Sequence, residues 1–554
     1  MKRDLIALSN RSYDVLVIGG GVYGAFLTRE AALRGLSTAV IDAKDFCSAT
    51  SANSLKIIHG GLRYLQQLDI PRVRESASER HNLMRLAPHI VHPLPCIMPT
   101  TGWGLRSRPV MRAGLLVNDL LSFDRNRTGD LEKYIPNGRV ISKEECLGII
   151  PGLAGLKVTG AAAWHDAIAC NTERLVLGAV MAACEAGAVA ANYVRLTGFT
   201  RKDKSITGVL AEDTLTGAQC TISAKLIINA AGPWIPDILS LAKTTGTPPV
   251  RQLTLAMNFV LKRQLIKSYA AGLTSPGIEK RKKRLLFFAP WRGQTMAGTY
   301  YRLHSGSAGN MKVSAEDVTT FLADLNRAYP LARLQHDDIA VIHAGLQPAM
   351  DTSGEPDPVG HYKIVNHAIA DGIEGLITVV GVKYTTARDV AAKAIDLACS
   401  KLERMAPDRQ AASAAIRLPG GEIPDYNGFL REVQQTAGGT PGEGHTRRLA
   451  TNYGTVCRTL INLCRTDSRM GPLPGNRPDI TGAEVVHAIR SEMAQTLPDI
   501  VFRRTDLGSA GMPDETTVRA CADLAALEAG WDAKRKDTEI TQTLALAERP
   551  GRCL

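Results

Sequence analysis

The run Tyr13-Asp14-Val15-Leu16-Val17-Ile18 enters Gly19-Gly20-Gly21-Val22-Tyr23-Gly24, and further on Thr38-Ala39-Val40-Ile41 ends on Asp42. The apolar run reads as a buried parallel strand. Gly19, Gly21 and Gly24 read as a tight turn and a close backbone approach to a pyrophosphate, with the next helix aiming its N-terminal N–H groups at that anion. Asp42 would accept from a ribose hydroxyl. The chemistry of such a set is dinucleotide binding. A glycine-rich turn without a ligand would not need the acid at the end of the second strand, nor the small-residue helix from Ala25 to Leu33 stopped by Arg34-Gly35.

Several other residue groups have types that could do chemistry. The eleven cysteines are scattered, without CxxC pairs or His-rich neighbours, which argues against a metal site and against a disulfide framework. Cys47 falls just after the second strand, near where a dinucleotide would lie; a buried thiol is its plain reading, a redox or covalent role the sharper one. The densest basic run, Lys280-Arg281-Lys282-Lys283-Arg284, reads as a solvated hairpin end, with a membrane headgroup contact as the functional alternative. No stacking surface or binding motif accompanies it, so nucleic acid is not an expected partner.

The elements around these residues follow from length and pattern. A chain of 554 residues exceeds what one core supports, so two or more domains are expected. Apolar content of 45% and charged content of 22% are those of a globular protein, and the net charge of +12 favours anionic ligands or an anionic membrane face. No apolar run is long enough to cross a bilayer, and the N-terminus lacks the apolar core of a secretory signal. A cytoplasmic location is the default expectation.

Along the chain, a polar loop, Cys47 to Ser54, precedes Lys56-Ile57-Ile58-His59-Gly60-Gly61-Leu62-Arg63-Tyr64-Leu65. Helical spacing is expected over 72–87, 110–121, 174–187, 314–328 and 388–402, and prolines mixed with short helices over 88–150. Strand patterns fall near 193–199, 206–212 and 219–224. The run Lys225 to Asn229 before Ala230-Ala231-Gly232-Pro233-Trp234 repeats the opening grammar of strand and small-residue turn, as a returning central strand would. A hairpin is expected at 287–291 and 294–301, and a final strand at 375–380 before Gly381-Val382-Lys383-Tyr384-Thr385-Thr386. Residues 406–420 read as a linker. Beyond them, helices are expected at 426–436, 446–464, 482–497 and 515–533.

The order GGGVYG, ATSANSLKIIHGGLRYL, NAAGPW, a PW…AGT hairpin, GVKYTTAR and LPGG before a helical tail resembles the FAD-dependent glycerol-3-phosphate dehydrogenase family, from about Tyr13 almost to the C-terminus. The resemblance implies an α/β fold: a glutathione-reductase-like FAD-binding Rossmann domain, an antiparallel-sheet substrate domain and a helical C-terminal domain. It divides 13–405 into interleaved parts, the FAD part mainly 13–70, 150–245 and 340–405 and the substrate part mainly 71–150 and 246–340, with the helical domain at 421–554. The implied activity is oxidation of a secondary alcohol by hydride transfer to flavin, the electrons passing to quinone or oxygen. The implied partners are a small-molecule hydroxy substrate and, with the basic balance, an anionic surface on the inner face of the membrane. A homodimer stays open. An amine or amino-acid oxidase on the same scaffold, and a flavin-binding subunit with a vestigial site, are the alternatives.

The resemblance also implies roles. Gly19, Gly21, Gly24 and Asp42 would hold the ADP half of FAD, and Thr50, Ser51, Ser54, Lys56 and Leu62 would line its pyrophosphate and flavin. Val194 would meet adenine and Gly232 would admit the returning strand. Gly381, Lys383 and Thr385 would lie at the flavin's pyrimidine edge, where positive charge stabilises the reduced ring. Arg63 and Tyr64 would face the substrate, with His343, His59 and Tyr64 as candidates for the base. The departures concentrate on the substrate side. Gln347 stands where the family shows an arginine in a G-x-R-P segment, and Gly360, His361 or Tyr362 where a second arginine is expected. Thr254-Leu255-Ala256-Met257 replaces a K-G-S-H segment, Thr299-Tyr300-Tyr301 a T-T-D, and Leu55 a serine. Charge-assisted hydrogen bonds are worth about 1.5–3 kcal/mol each, so an altered specificity, for a bulkier or less anionic substrate, is the expectation.

Overall fold

The computed structural model describes residues 1–127, 129–276, 284–349, 360–381, 383–404, 410–439 and 441–547. Lys280 to Lys283, Val382 and linker residues 406–409 lie outside them.

The described strands form two sheets. In the first, the order is Lys363–Asn366, Leu376–Val380, Gln219–Asn229, Ser12–Ile18, Thr38–Ile41 and Val189–Ala191. Ser12–Ile18 pairs in parallel with both Thr38–Ile41 and the returning strand Gln219–Asn229, so the opening strand is central. Continuous apolar runs suit this place because helices cover both faces of a parallel sheet. Val15, Leu16 and Val17 are fully buried, and burying each such side chain contributes about 1.5–3 kcal/mol. Helix Val22–Leu33 packs on one face between Thr172–Glu185 and Ala387–Lys401. An antiparallel excursion, Val194–Lys202 and Ser205–Asp213, leads into the returning strand.

The second sheet runs Ile339–Ala349, Gln252–Leu261, Gln294–His304, Arg284–Trp291, Ala270–Ser275, Val91–Thr100, Gly160–Ala169 and Ile57–Ile58. The expected hairpin is there, Trp291 pairing with Gln294. Two strands cross the divisions expected from sequence: Gly160–Ala169 and Ile339–Ala349 belong to this sheet, not to the cofactor part. Val91–Thr100 replaces the short helices expected there. Its prolines, Pro93, Pro95 and Pro99, share one parity, so their missing N–H donors fall on one edge, which Ala270–Ser275 covers only at Cys96 and Ile97.

The C-terminal domain is helical. The helix expected over 446–464 is two, Glu443–Tyr453 and Cys457–Thr466. The break is at Gly454, φ 55°, where a Cβ would lie 1.8 Å from the Gly420 carbonyl oxygen. Glu515–Ala529 ends at Gly530 and a further helix, Ala533–Ala547, follows. A buried ionic seam joins this domain to the first sheet. Asp45 accepts from Arg503 at 2.6 Å and from both terminal nitrogens of Arg504 at 2.7 and 2.8 Å. Burial opposes the Asp45 carboxylate, yet the two guanidiniums hold its pKa down at about 2.

Candidate active site

A cavity of about 1550 Å³ opens between the two sheets, larger than the roughly 300–1,000 Å³ of a single-ligand cleft. At one end stand Gly19, Gly21, Asp42, Val194 and Gly232, the turn after the first strand, the end of the second and the start of the returning loop. Gly19 has φ +100°, and a Cβ on it would lie 2.8 Å from the Ala230 carbonyl oxygen. Gly24 lies outside the cavity wall; a Cβ there would come within 1.7 Å of the Gly19 oxygen, so its hydrogen lets the helix seat on the turn. Gly21 caps the helix without a side chain, and Ser51 Oγ accepts from Val22 N–H at 3.0 Å. Asp42 accepts from Gly20 N–H at 2.6 Å and Lys44 N–H at 2.9 Å. Burial pushes its carboxyl up to about 6.

The middle of the cavity is walled by the polar loop. Thr50 Oγ1 donates to the Leu346 carbonyl at 2.7 Å, and Ser54 lines the wall. Lys56 borders the cavity, but its ammonium is fully buried on Ala52 O (2.8 Å), Thr172 Oγ1 (2.6 Å) and Glu173 (2.8 Å). It braces the loop. Leu62 packs into the apolar cluster beneath the second sheet, outside the cavity wall. Cys47 lines the cavity as a buried thiol whose pKa burial raises. Opposite, Gly381 lies so close to Tyr23 that a Cβ would enter its ring at 1.9 Å, and Thr385 and Lys383 complete the wall. Tyr384 donates to the Ser51 carbonyl, tying the two loops together.

His59, Arg63 and Tyr64 line the same cavity as Lys383. His59 Nδ1 lies 2.9 Å from Asp166 Oδ2. Asp166 also accepts from Gly60 N–H at 2.7 Å and stands 3.7 Å from Arg80. Burial opposes its charge, but the His59 hydrogen bond, these neighbours' charges and the Gly60 bond keep its pKa below the usual carboxylate value. An ionised carboxylate only accepts, so the Asp166 contact places a proton on Nδ1 of His59 and selects the tautomer whose Nε2 is the acceptor in the neutral ring. Tyr64 is ringed by cations: Lys383 Nζ is 4.3 Å, the Arg72 guanidinium 5.1 Å and that of Arg63 5.7 Å from its ring centre. Burial, then Arg72 and Arg63, lower Lys383 to about 8.

His343 is the candidate base that the structure moves away. It is 3% exposed, its Nε2 lies 3.2 Å from the Ser509 carbonyl and its ring packs on Trp291, off the cavity wall. Its place early on strand Ile339–Ala349 puts it under the C-terminal domain, whereas Gly345 and Gln347 further along reach the cavity. Of the larger replacements, Leu55 and Tyr301 reach the cavity. Leu255, Met257 and Tyr300 belong to the core on the far side of the sheet; alternation leaves Ala256, Asn258, Thr299 and Tyr301 on the cavity. Asp166 and Arg72 are site residues that sequence reasoning missed, whereas His361, expected near a second substrate position, does line the cavity. The one signal for Asp166 was a His-Asp pair inside the otherwise apolar strand Gly160–Ala169.

The glycine cradle and a cavity with room for two molecules fit FAD. The model of the FAD dependent oxidoreductase family matches residues 14–388, and that of the C-terminal domain of alpha-glycerophosphate oxidase matches 411–536. A glycerol-3-phosphate dehydrogenase of Synechocystis sp. is 30% identical over the whole of both chains. The solved glycerol-3-phosphate dehydrogenase of Bacillus halodurans, complexed with FAD, superposes with a TM-score of 0.75 at 24% identity, covering 97% of this chain and 95% of that one. A glycine oxidase of Geobacillus kaustophilus shares the fold at a TM-score of 0.50 and 16% identity, over 71% of this chain and 96% of its own. The chain therefore belongs to the FAD-dependent oxidoreductases, in the glycerol-3-phosphate dehydrogenase family.

Proposed function

We propose that this chain oxidises the secondary alcohol of a polyol or polyol phosphate, with a specificity shifted from that of its relatives. Bound FAD supplies the hydride acceptor. His59 is the group that takes the hydroxyl proton, on Nε2, as the hydride leaves carbon; Asp166 positions the ring and offsets the charge it gains. Arg63, Tyr64 and Lys383 hold the substrate against the cavity wall, and Gln347 on the facing strand is the neutral residue that alters specificity. The carrying observation is the His59–Asp166 pair opening on the same cavity as the glycine turn. The test is anaerobic mixing of the flavin-loaded protein with glycerol 3-phosphate, uncharged polyols and small amino acids while the oxidised flavin band is followed. Bleaching by a polyol or its phosphate supports the reading. Bleaching only by amino acids replaces it with an amine oxidase, and bleaching only by dithionite with a vestigial site.

The electron acceptor in this reading is a quinone or oxygen, and the chain meets an anionic lipid surface. No helix among the described residues is long and apolar enough to cross a membrane. Helix Arg108–Leu121, held down by buried Met111 and Leu115, leaves Leu116 56% and Leu120 74% exposed beside Trp103 at 100% and Phe123 at 69%. Exposed Arg108, Arg112 and Arg127 flank this patch, a combination that suits an anionic headgroup layer. Co-sedimentation with phosphatidylglycerol vesicles, lost in W103D/L120D and absent with neutral vesicles, is the expected result. Equal sedimentation of the variant would overturn it.

A further inference from the structure

We infer that the C-terminal helical domain positions the FAD site from outside the cavity, with Arg503 and Arg504 acting through Asp45 on the loop 42–48. The inference rests on the FAD site and is independent of the substrate.

Among the described residues the cavity wall ends at Thr385, so the C-terminal domain has no place on it. It reaches the wall through one loop. Asp42, Ala43, Lys44, Cys47 and Ser48 line the cavity, whereas Asp45 and Phe46 between them are buried in the protein. Phe46 lies against the glycine turn: a Cβ on Gly20 would come within 2.3 Å of its ring. Cys47 N–H donates to the Gly20 carbonyl at 3.0 Å. Asp45 meets Arg503 and Arg504 instead. The loop is thus held between the turn that cradles the cofactor and a separate domain.

The chain leading into strand Val194–Lys202 is held in the same way. Tyr193 N–H donates to the Lys44 carbonyl at 2.9 Å and Val194 N–H to the Asp42 carbonyl at 2.7 Å, which ties this second piece of wall to the loop. Asn192 Nδ2 donates to Asp45 at 2.8 Å and to the Met493 carbonyl at 3.1 Å, and the Tyr193 hydroxyl donates to Asp499 at 2.7 Å. Asp499 in turn accepts from Arg503. Asp45, Asn192, Asp499, Arg503 and Arg504 are all buried. A carboxylate so placed needs its cations, because taking one partner from a buried pair leaves the other charge without compensation. Asp45 therefore keeps the loop in this course only while the domain is docked, and that course brings Asp42 and the glycine turn to one wall. Two events that favour the same conformation are coupled, and the coupling is reciprocal: docking raises the affinity for FAD, and FAD strengthens the docking of the Ile500–Arg504 turn.

The experiment uses the flavin-loaded full chain. FAD is released by serial dilution and its Kd read from the fluorescence of free flavin, in the wild type, Arg504→Gln, Arg504→Lys and Asp130→Ala. Asp130 joins the same domain elsewhere, accepting from Tyr426 N–H at 3.2 Å, and is off the cavity wall. In Arg504→Gln the Kd rises about fivefold to 150-fold. Arg504→Lys, which keeps the charge and loses the fork, recovers part of the affinity. Asp130→Ala lowers the melting temperature and leaves the Kd unchanged. Amide exchange over 499–504 quickens when FAD is stripped from the wild type, and this response to FAD shrinks in Arg504→Gln. An unchanged Kd in Arg504→Gln overturns the inference. So does an equal rise in Asp130→Ala, which would make the loss a general result of weaker domain packing, and so does exchange over 499–504 that is indifferent to FAD. Should Arg504→Gln not fold, Arg504→Lys decides: a raised Kd in the folded variant supports the inference and a wild-type Kd overturns it.

Discussion

The Tyr23 hydroxyl donates to the Lys383 carbonyl at 3.0 Å and accepts the Lys383 N–H at 3.2 Å, so one side chain on helix Val22–Leu33 fixes the backbone that carries a cavity cation. Gly381 completes the arrangement by leaving room for the ring. Each such bond is worth about 0.5–1.5 kcal/mol. Y23F removes both, and is expected to cost about 1–3 kcal/mol by denaturant titration and to weaken flavin retention on dialysis. Unchanged flavin content at lower stability would make the bond purely structural.

The charge of Lys383 sets a pH dependence. Burial, Arg72 and Arg63 depress its pKa to about 8, with Glu75 and Asp69 pulling the other way. A bound dianion favours the protonated amine, so affinity for a phosphorylated substrate is full below that value and declines as pH rises through it. Half-saturation by glycerol 3-phosphate should rise above about pH 8, and K383M should flatten the profile. A flat wild-type profile would detach Lys383 from the anion.

Asp166 fixes the tautomer of His59 through the 2.9 Å contact. D166N can offer an N–H to Nδ1 and so drive the ring proton onto Nε2, the atom needed free. Stopped-flow flavin reduction should fall about 100-fold to 10,000-fold in D166N and H59Q. H343Q, at a residue packed under Ser509, should stay within about tenfold, below the range of a lost proton acceptor. A collapse in H343Q with D166N intact would reverse the assignment.

Gly24 tests the cradle. Its Cβ would lie 1.7 Å from a backbone oxygen of the turn, and backbone cannot yield as a flexible side chain can. G24A should lose about 1–3 kcal/mol or more and purify with little flavin, read as the flavin-to-protein absorbance ratio. Full occupancy would mean that the turn relaxes.

Asp45 is a depressed carboxylate, at about 2 in the fold against about 3.9 in a free chain. Its contribution is complete above the unfolded value and is lost as pH falls toward 2. D45N leaves Arg504 buried without its anion and Arg503 with Asp499 alone, at a cost of about 3–5 kcal/mol. Thermal melts from pH 6 down to 2 should separate wild type from variant most at the upper end.

Local pattern determined the cofactor half of this protein. The Gly19–Gly24 turn and Asp42 belong to one short stretch of chain, and the distant strand before Ala230 repeats the same local pattern of buried strand and small-residue turn. The starts of the C-terminal helices were legible for the same reason, but not the break where Gly454 meets Gly420, 34 residues away, nor the ends at Glu492 and Ala529, nor helix Ala533–Ala547. The substrate end was decided by tertiary structure. Parity along Gln252–Leu261 and Gln294–His304 says which residues share a face, but only the packing of the core says which face is wet; so Leu255, Met257 and Tyr300 turned out dry and Ala256, Asn258 and Tyr301 lined the cavity. His343 went under a domain whose position no local pattern encodes. Asp166 reached His59, and Arg72 reached Tyr64 and His361, because the chain brought separate elements to one wall, and electrostatic pairing depends on that distance rather than on order along the sequence.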